Sequence, residues 1–258
     1  MEAAFFDLDK TVIAKPSMVA FGRPLLAAGF ITRRLMARAV WSNLVFQLLG
    51  ADEERMRRFR ESALRITRGW DQDRIRTLVR DNLIEVVEPI VYDEALELIR
   101  AHQRAGRLVY LISASPAEIV EPLGDYLRVD GCVASRARID DDGRYTGEVD
   151  FYSYGPFKAE AIVELAERNG LDLDRCFAYS DSATDAPMLE VVGHPVAVNP
   201  DRELRNLAKA RDWEVRFFER GVPLGDRVAL PSRRNVVGTT AVAATLATTI
   251  TVWQWRGG

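Results

Sequence analysis

Five short apolar runs punctuate the chain: Ala3–Phe6, Leu108–Ile112, Gly131–Val133, Cys176–Tyr179 and Pro195–Val198. Each is too short for a helix, and amphipathic stretches separate them. That alternation predicts parallel strands joined by helices, a doubly wound α/β sheet. Between the first two runs the pattern is helical throughout, over Phe21–Leu49, Glu53–Arg68 and Gln72–Val87. A crossover needs only one helix, so most of this stretch is expected to be a helical cap inserted after the first strand. The resulting division is 1–14 and 96–225 as the catalytic core, 15–95 as the cap and 226–258 as a C-terminal tail. Val133–Ile139 and Arg144–Val149, separated by Asp140-Asp141-Asp142-Gly143, read as a β-hairpin with a structural role. Asp141 and Asp142 are ordinary turn residues in that reading.

In doubly wound sheets ligands bind beyond the carboxyl ends of the strands. Asp7 follows the first run, Ser113 the second, and Ser180-Asp181 the run Cys176–Tyr179, so all three groups are expected on one sheet edge. Asp7 and Asp9 are separated by a single residue at a strand end, where like charges repel and require compensation. A divalent cation such as Mg2+, which prefers oxygen ligands, supplies it. Asp7 would contribute a carboxylate oxygen and Asp9 its main-chain carbonyl. Asp181 would complete the shell.

The same residues suit phosphoryl transfer, which depends on charge neutralisation and in-line positioning. Asp7 is the candidate nucleophile, forming an aspartyl-phosphate, and Asp9 the proton donor and acceptor. Thr11 and Ser113 offer hydroxyls for the phosphoryl oxygens, and Lys158 offers a charge to both nucleophile and phosphate. Asp185 would orient Lys158 or a metal-bound water. Plainer roles stay open at this level, Ser113 as a helix cap and Lys158 as a solvated helix residue. His102 and His194 have no partners at recognisable spacing and are not expected to be catalytic.

Taken in order, Asp7-Leu8-Asp9-Lys10-Thr11, Ser113, Lys158 and Ser180-Asp181-Ser182-Ala183-Thr184-Asp185 resemble the four motifs of the haloacid dehalogenase superfamily. The resemblance is to the branch that contains phosphoserine phosphatase, and it covers roughly residues 3–200. It implies a Mg2+-dependent phosphatase. Asp9 sets the chain apart from the related P-type ATPases, which carry Thr there, and from dehalogenases, which lack the second Asp. Two departures concern the substrate. Pro16 stands where phosphoserine phosphatases carry an acidic residue that holds the substrate amine, and no single arginine among Arg57, Arg60, Arg65 and Arg68 stands out as the carboxylate ligand. Ser180 replaces the usual glycine before the fourth motif.

Charge narrows the partners. A net charge of −3 argues against a nucleic-acid surface, which calls for a basic face. Only four of the 35 basic residues are lysine, which gives Lys158 more weight. Cys132 and Cys176 are isolated, suggest neither zinc nor a disulfide framework, and fit a cytoplasmic setting. No signal-peptide pattern precedes Ala3. Residues 235–255 carry no charge and end near Trp253 and Trp255, long enough for an anchor on the inner face of the cell membrane but rich in Thr and Ala. A surface-packed or disordered tail is the alternative.

Met18–Leu49 is apolar yet arginine-bearing, which fits a cap core or a membrane-contacting surface. The expected activity is hydrolysis of a small or amphiphilic phosphate ester. The alternatives are a lipid-derived phosphate at the membrane surface and a non-catalytic phosphoprotein-binding module.

Overall fold

The computed structural model describes residues 1–35, 61, 62 and 64–219. Seven strands share one sheet: β1 Ala3–Phe6, β2 Leu108–Pro116, β3 Gly131–Ile139, β4 Tyr145–Phe151, β5 Phe177–Ser180, β6 His194–Val198 and β7 Glu214–Arg216. Their order is β4-β3-β2-β1-β5-β6-β7, and every neighbouring pair is parallel except β3 with β4. The sequence walks from β1 to β4 in one direction and then restarts on the other side of β1 at β5. That reversal opens a crevice at the carboxyl end of β1, where Asp7 emerges.

The helices in the described residues are α1 Ser17–Ala20, α2 Gly22–Ala27, α3 Gln72–Val87, α4 Asp93–Arg104, α5 Ala117–Leu127, α6 Pro156–Asn169, α7 Ala186–Glu190 and α8 Arg202–Ala210. β1 is buried on both faces, as a continuous apolar strand in the middle of a parallel sheet must be. Its alternation feeds two cores: Ala4 and Phe6 join Ile99 of α4 and Tyr179, while Ala3 and Phe5 join Ile162 of α6, Leu189 of α7 and Leu204 of α8. Phe6 stacks on Tyr179 with centroids 4.3 Å apart. Tyr179 in turn lies 2.8 Å, through its hydroxyl, from His102 Nε2. His102 is therefore a core residue, buried, with its pKa pushed down to about 4, first by burial and then by Arg107.

Two strands outrun their apolar patterns. β2 continues through Ser113 to Pro116, because the polar residues at its carboxyl end still pair with β3. β7 has no apolar run at all, being a three-residue Glu-Val-Arg edge strand recruited by pairing to β6. Its recruitment is tertiary, and periodicity does not foretell it.

The chain paths into and out of the helical insertion cross each other: Ala14 N donates to Ile90 O at 2.7 Å and Tyr92 N to Val12 O at 3.0 Å. This crossing comes before the expected 95/96 boundary, which falls inside α4. α3 begins where Asp71 accepts a hydrogen bond from Arg74 N, an N-cap that stops the chain from unwinding into the preceding loop. The β3–β4 hairpin grips that same loop. Gly69 N donates to Tyr145 O (2.8 Å), Tyr145 N to Trp70 O (3.0 Å) and Gln72 N to Gly143 O (3.0 Å).

The chain divides into two units, Met1–Val222 and Pro223–Gly258. The tail expected over 226–258, with its anchor at 235–255, lies outside the described residues, as do Arg57, Arg60 and most of the helices expected over Phe21–Leu49 and Glu53–Arg68. Among the described residues no helix is long and apolar enough to cross a membrane.

Candidate active site

Asp7 stands at the end of β1, its amide donating to Tyr179 O at 2.9 Å, so the neighbouring strand fixes the first residue of the loop. The chain then turns sharply: Val12 N and Ile13 N both donate to Leu8 O, and Lys10 adopts a positive φ of 67°. The amides of Leu8 and Asp9 donate to no main-chain carbonyl among the described residues, which leaves them for an anion.

Lys158 lies in the first turn of α6. Gly155 precedes that helix at φ 57° and ψ −127°, a backbone setting that suits glycine, and Pro156 starts the helix. The turn sends the lysine inward, where it is buried and donates to Asp7 Oδ1 and Asp185 Oδ2, each at 2.7 Å. Ser180 Oγ donates to the same Asp185 oxygen at 2.7 Å. Ser182 caps the short turn Ala183–Asp185 that carries Asp185 back toward the sheet. Asp201 braces this loop from outside: its amide donates to Asp181 O, and its carboxylate accepts from Ala183 N and Leu204 N.

The structure thus gathers Asp7, Lys158, Asp181 and Asp185 in one buried cluster. Lys158 bridges two of the three carboxylates, Asp7 and Asp185, so the pocket holds three acids to one buried ammonium, a formal excess of two negative charges when all are ionised. The strain shows in the ionisation. Burial, with Asp7 next, pushes Asp181 up to about 8; burial outweighs Lys158 and, with Asp185, raises Asp7 to about 7. Lys158 is held protonated, because its two carboxylates outweigh its burial.

Such a set fits a hard divalent cation between Asp7 and Asp181, since the donors are all oxygen and the excess charge is two. Among the described residues no three His, Cys, Asp or Glu side chains form a metal cluster. The set here has two carboxylates and a main-chain carbonyl, that of Asp9, so water and phosphate would fill the rest.

Asp9 points its carboxylate elsewhere, to Ser17 and Ser115. Sequence reasoning singled out neither serine. Ser115 was discernible in principle, since strand alternation puts it on the same side of β2 as Ser113, and its amide donates to Ser113 Oγ at 3.1 Å. Ser113 itself is buried at the carboxyl end of β2, beside β1 in the sheet.

Thr11 is fully buried, and its hydroxyl has no hydrogen-bond partner among the described residues. Arg65 is exposed and bonds back to Glu61 O and Ser62 Oγ on its own helix.

Residues 4–190 match the haloacid dehalogenase-like hydrolase family. The chain belongs to that family. A Streptomyces azureus protein named for inhibition of morphological differentiation is 49% identical, over 97% of this chain and 92% of its own. Phosphoserine phosphatase SerB1 of Mycobacterium tuberculosis is 38% identical over 89% of this chain and 75% of its own. Among solved structures, a Bordetella pertussis protein of unknown function superposes with a TM-score of 0.70 at 27% identity, covering 83% of this chain and 97% of that one. The match of this haloacid dehalogenase-like hydrolase to its family spans the strand ends and the helix turn just described.

Proposed function

We propose that this hydrolase is a Mg2+-dependent phosphomonoesterase acting on a small phosphate ester through an aspartyl-phosphate on Asp7. One observation carries the reading: a buried nucleophile-grade carboxylate, Asp7, held by a buried ammonium, Lys158, beside a second unneutralised carboxylate, Asp181. A relative 38% identical bears the name phosphoserine phosphatase, which supports phosphate-ester chemistry.

In this reading the Asp7 carboxylate attacks phosphorus as the bond from phosphorus to the ester oxygen breaks, and Asp9 gives its proton to the departing oxygen. Asp9 then takes a proton from water, whose oxygen attacks phosphorus and releases Asp7 and inorganic phosphate. Mg2+, held by Asp7, the Asp9 carbonyl and Asp181, supplies charge neutralisation for the phosphoryl oxygens when bound. Lys158 donates to those oxygens and to Asp7, with Asp185 and Ser180 fixing its ammonium. The Ser113 hydroxyl and the Leu8 and Asp9 amides donate to the remaining phosphoryl oxygens. Residues 15–95 are assigned the role of the cap in this reading.

The test is a phosphate-release screen across amino-acid, sugar, amino-alcohol and lysolipid phosphates with Mg2+ and again with EDTA. Release with Mg2+ that EDTA abolishes is expected. Pro16, in place of a carboxylate, predicts that phosphoserine will not be the best substrate. Release unaffected by EDTA would overturn the metal assignment.

A further inference from the structure

Two serines outside the recognised motifs hold the Asp9 carboxylate. Ser115 Oγ donates to Asp9 Oδ2 at 2.7 Å, and the Ser17 amide donates to Asp9 Oδ1 at 2.7 Å. The two serine hydroxyls lie 2.7 Å apart, and both side chains are buried. A carboxylate only accepts, so the Ser115 proton is committed to Asp9 and the Ser17 hydroxyl donates to Ser115 Oγ. The alternative contact, Ser17 Oγ to Asp9 Oδ2, is 3.4 Å and weak by comparison. The hydrogen bonds are therefore ordered from Ser17 through Ser115 to Asp9.

Each carboxylate oxygen thus accepts one short hydrogen bond and keeps a second lone-pair site for a proton in transit. The Ser17 amide on Oδ1 and the Ser115 hydroxyl on Oδ2 together fix the side-chain torsion that decides where the carboxyl points. Ser115 comes from the carboxyl end of β2 and Ser17 from the first turn of α1, so the carboxylate is held from the sheet and from the inserted helices together.

We propose that Ser115, backed by Ser17, is a positioning residue that aims the Asp9 carboxyl at the ester oxygen leaving phosphorus. This rests on the reading of Asp9 as the proton donor. A misaimed acid matters most when the leaving group cannot depart as a stable anion. Phenyl phosphate, whose phenoxide is the more basic leaving group, leans on the acid more than p-nitrophenyl phosphate, the control, whose leaving group departs unprotonated. The comparison uses kcat/KM, which reports steps up to leaving-group departure and not hydrolysis of the aspartyl-phosphate.

The experiment compares full-length wild type, Ser115→Ala, Ser115→Thr, Ser17→Ala and Asp9→Asn on both esters with Mg2+. Ser115→Ala is expected to lower kcat/KM for phenyl phosphate on the order of 10- to 100-fold, with a loss of only a few-fold for p-nitrophenyl phosphate and KM little changed. Ser115→Thr, which keeps the hydroxyl, is expected to recover most of the rate. Ser17→Ala keeps the amide and is expected to show the same bias at smaller size; it decides the matter if Ser115→Ala does not fold. Equal losses on both esters, or wild-type behaviour, would overturn the proposal. Asp9→Asn separates the two levels. If it fails to discriminate the esters, the role of Asp9 itself is wrong; if it discriminates and the serine variants do not, only the positioning role is lost.

Discussion

Lys158 meets Asp7 across 151 residues of sequence, Nζ to Oδ1 at 2.7 Å, with both side chains almost fully out of solvent. The same nitrogen is 2.7 Å from Asp185 Oδ2, so one cation spans two carboxylates that would otherwise repel. A buried ion pair of this kind is weak evidence of net stabilisation, because desolvation offsets attraction, yet breaking it from one side is costly. Its persistence in the pocket is better explained by chemistry than by stability.

Removing the ammonium should therefore be expensive. Lys158→Met leaves Asp7 and Asp185 buried and uncompensated, with an expected loss of about 3–5 kcal/mol in denaturant unfolding. Adding Asp185→Asn should recover part of the stability and none of the activity. Equal stability of wild type and Lys158→Met would contradict the buried pairing.

Asp7→Asn keeps the shape of the site and removes the nucleophile. Phosphate release should fall on the order of 10³-fold or more, while the unfolding midpoint stays level or rises because a buried charge is gone. Measured turnover near the wild-type rate would rule out covalent catalysis at Asp7.

The acids should also set the pH response of the metal-free protein. Asp7 and Asp181 bind protons more tightly folded, at about 7 and about 8, than at their ordinary value of 3.8. Between those limits the native state holds more protons than the unfolded chain, so stability falls as pH rises from about 4 to about 8 and then levels off. Mg2+ replaces the lost protons. The rise in thermal midpoint on adding it should be larger at pH 8 than at pH 5, and an equal rise at both would count against metal binding by this pair.

A control far from the chemistry is Gly193, just before β6. Its amide donates to Leu173 O at 2.8 Å, and a Cβ there would collide with the Asp174 carbonyl. Gly193→Ala should lower stability by about 1–3 kcal/mol through overpacking, with kcat per folded molecule unchanged. A variant as stable as wild type would show that the loop at Asp174 yields freely.

Much of the site was legible before any coordinates. Asp7, Ser113 and Asp181 each follow a strand whose apolar run is plain, and a parallel sheet with a switch point must bring such ends together. The surroundings of Thr11 were not legible, because a motif position does not reveal burial; its hydroxyl is buried with no partner among the described residues. Ser17 and Ser115 escaped because their value lies in contacts with Asp9 across 8 and 106 residues, to which local spacing is blind.

Sequence by itself determined the strand and helix alternation of the sheet and the residue types able to carry phosphoryl transfer, since these depend on periodicity and on chemistry that travels with each side chain. Only the tertiary structure decided how the charges balance and where each acid points. Lys158 is shared between Asp7 and Asp185, Asp181 makes no direct ion pair among the described residues, and Asp9 is turned to two serines, because those outcomes depend on which buried groups come within hydrogen-bond distance after strands far apart in the chain have paired.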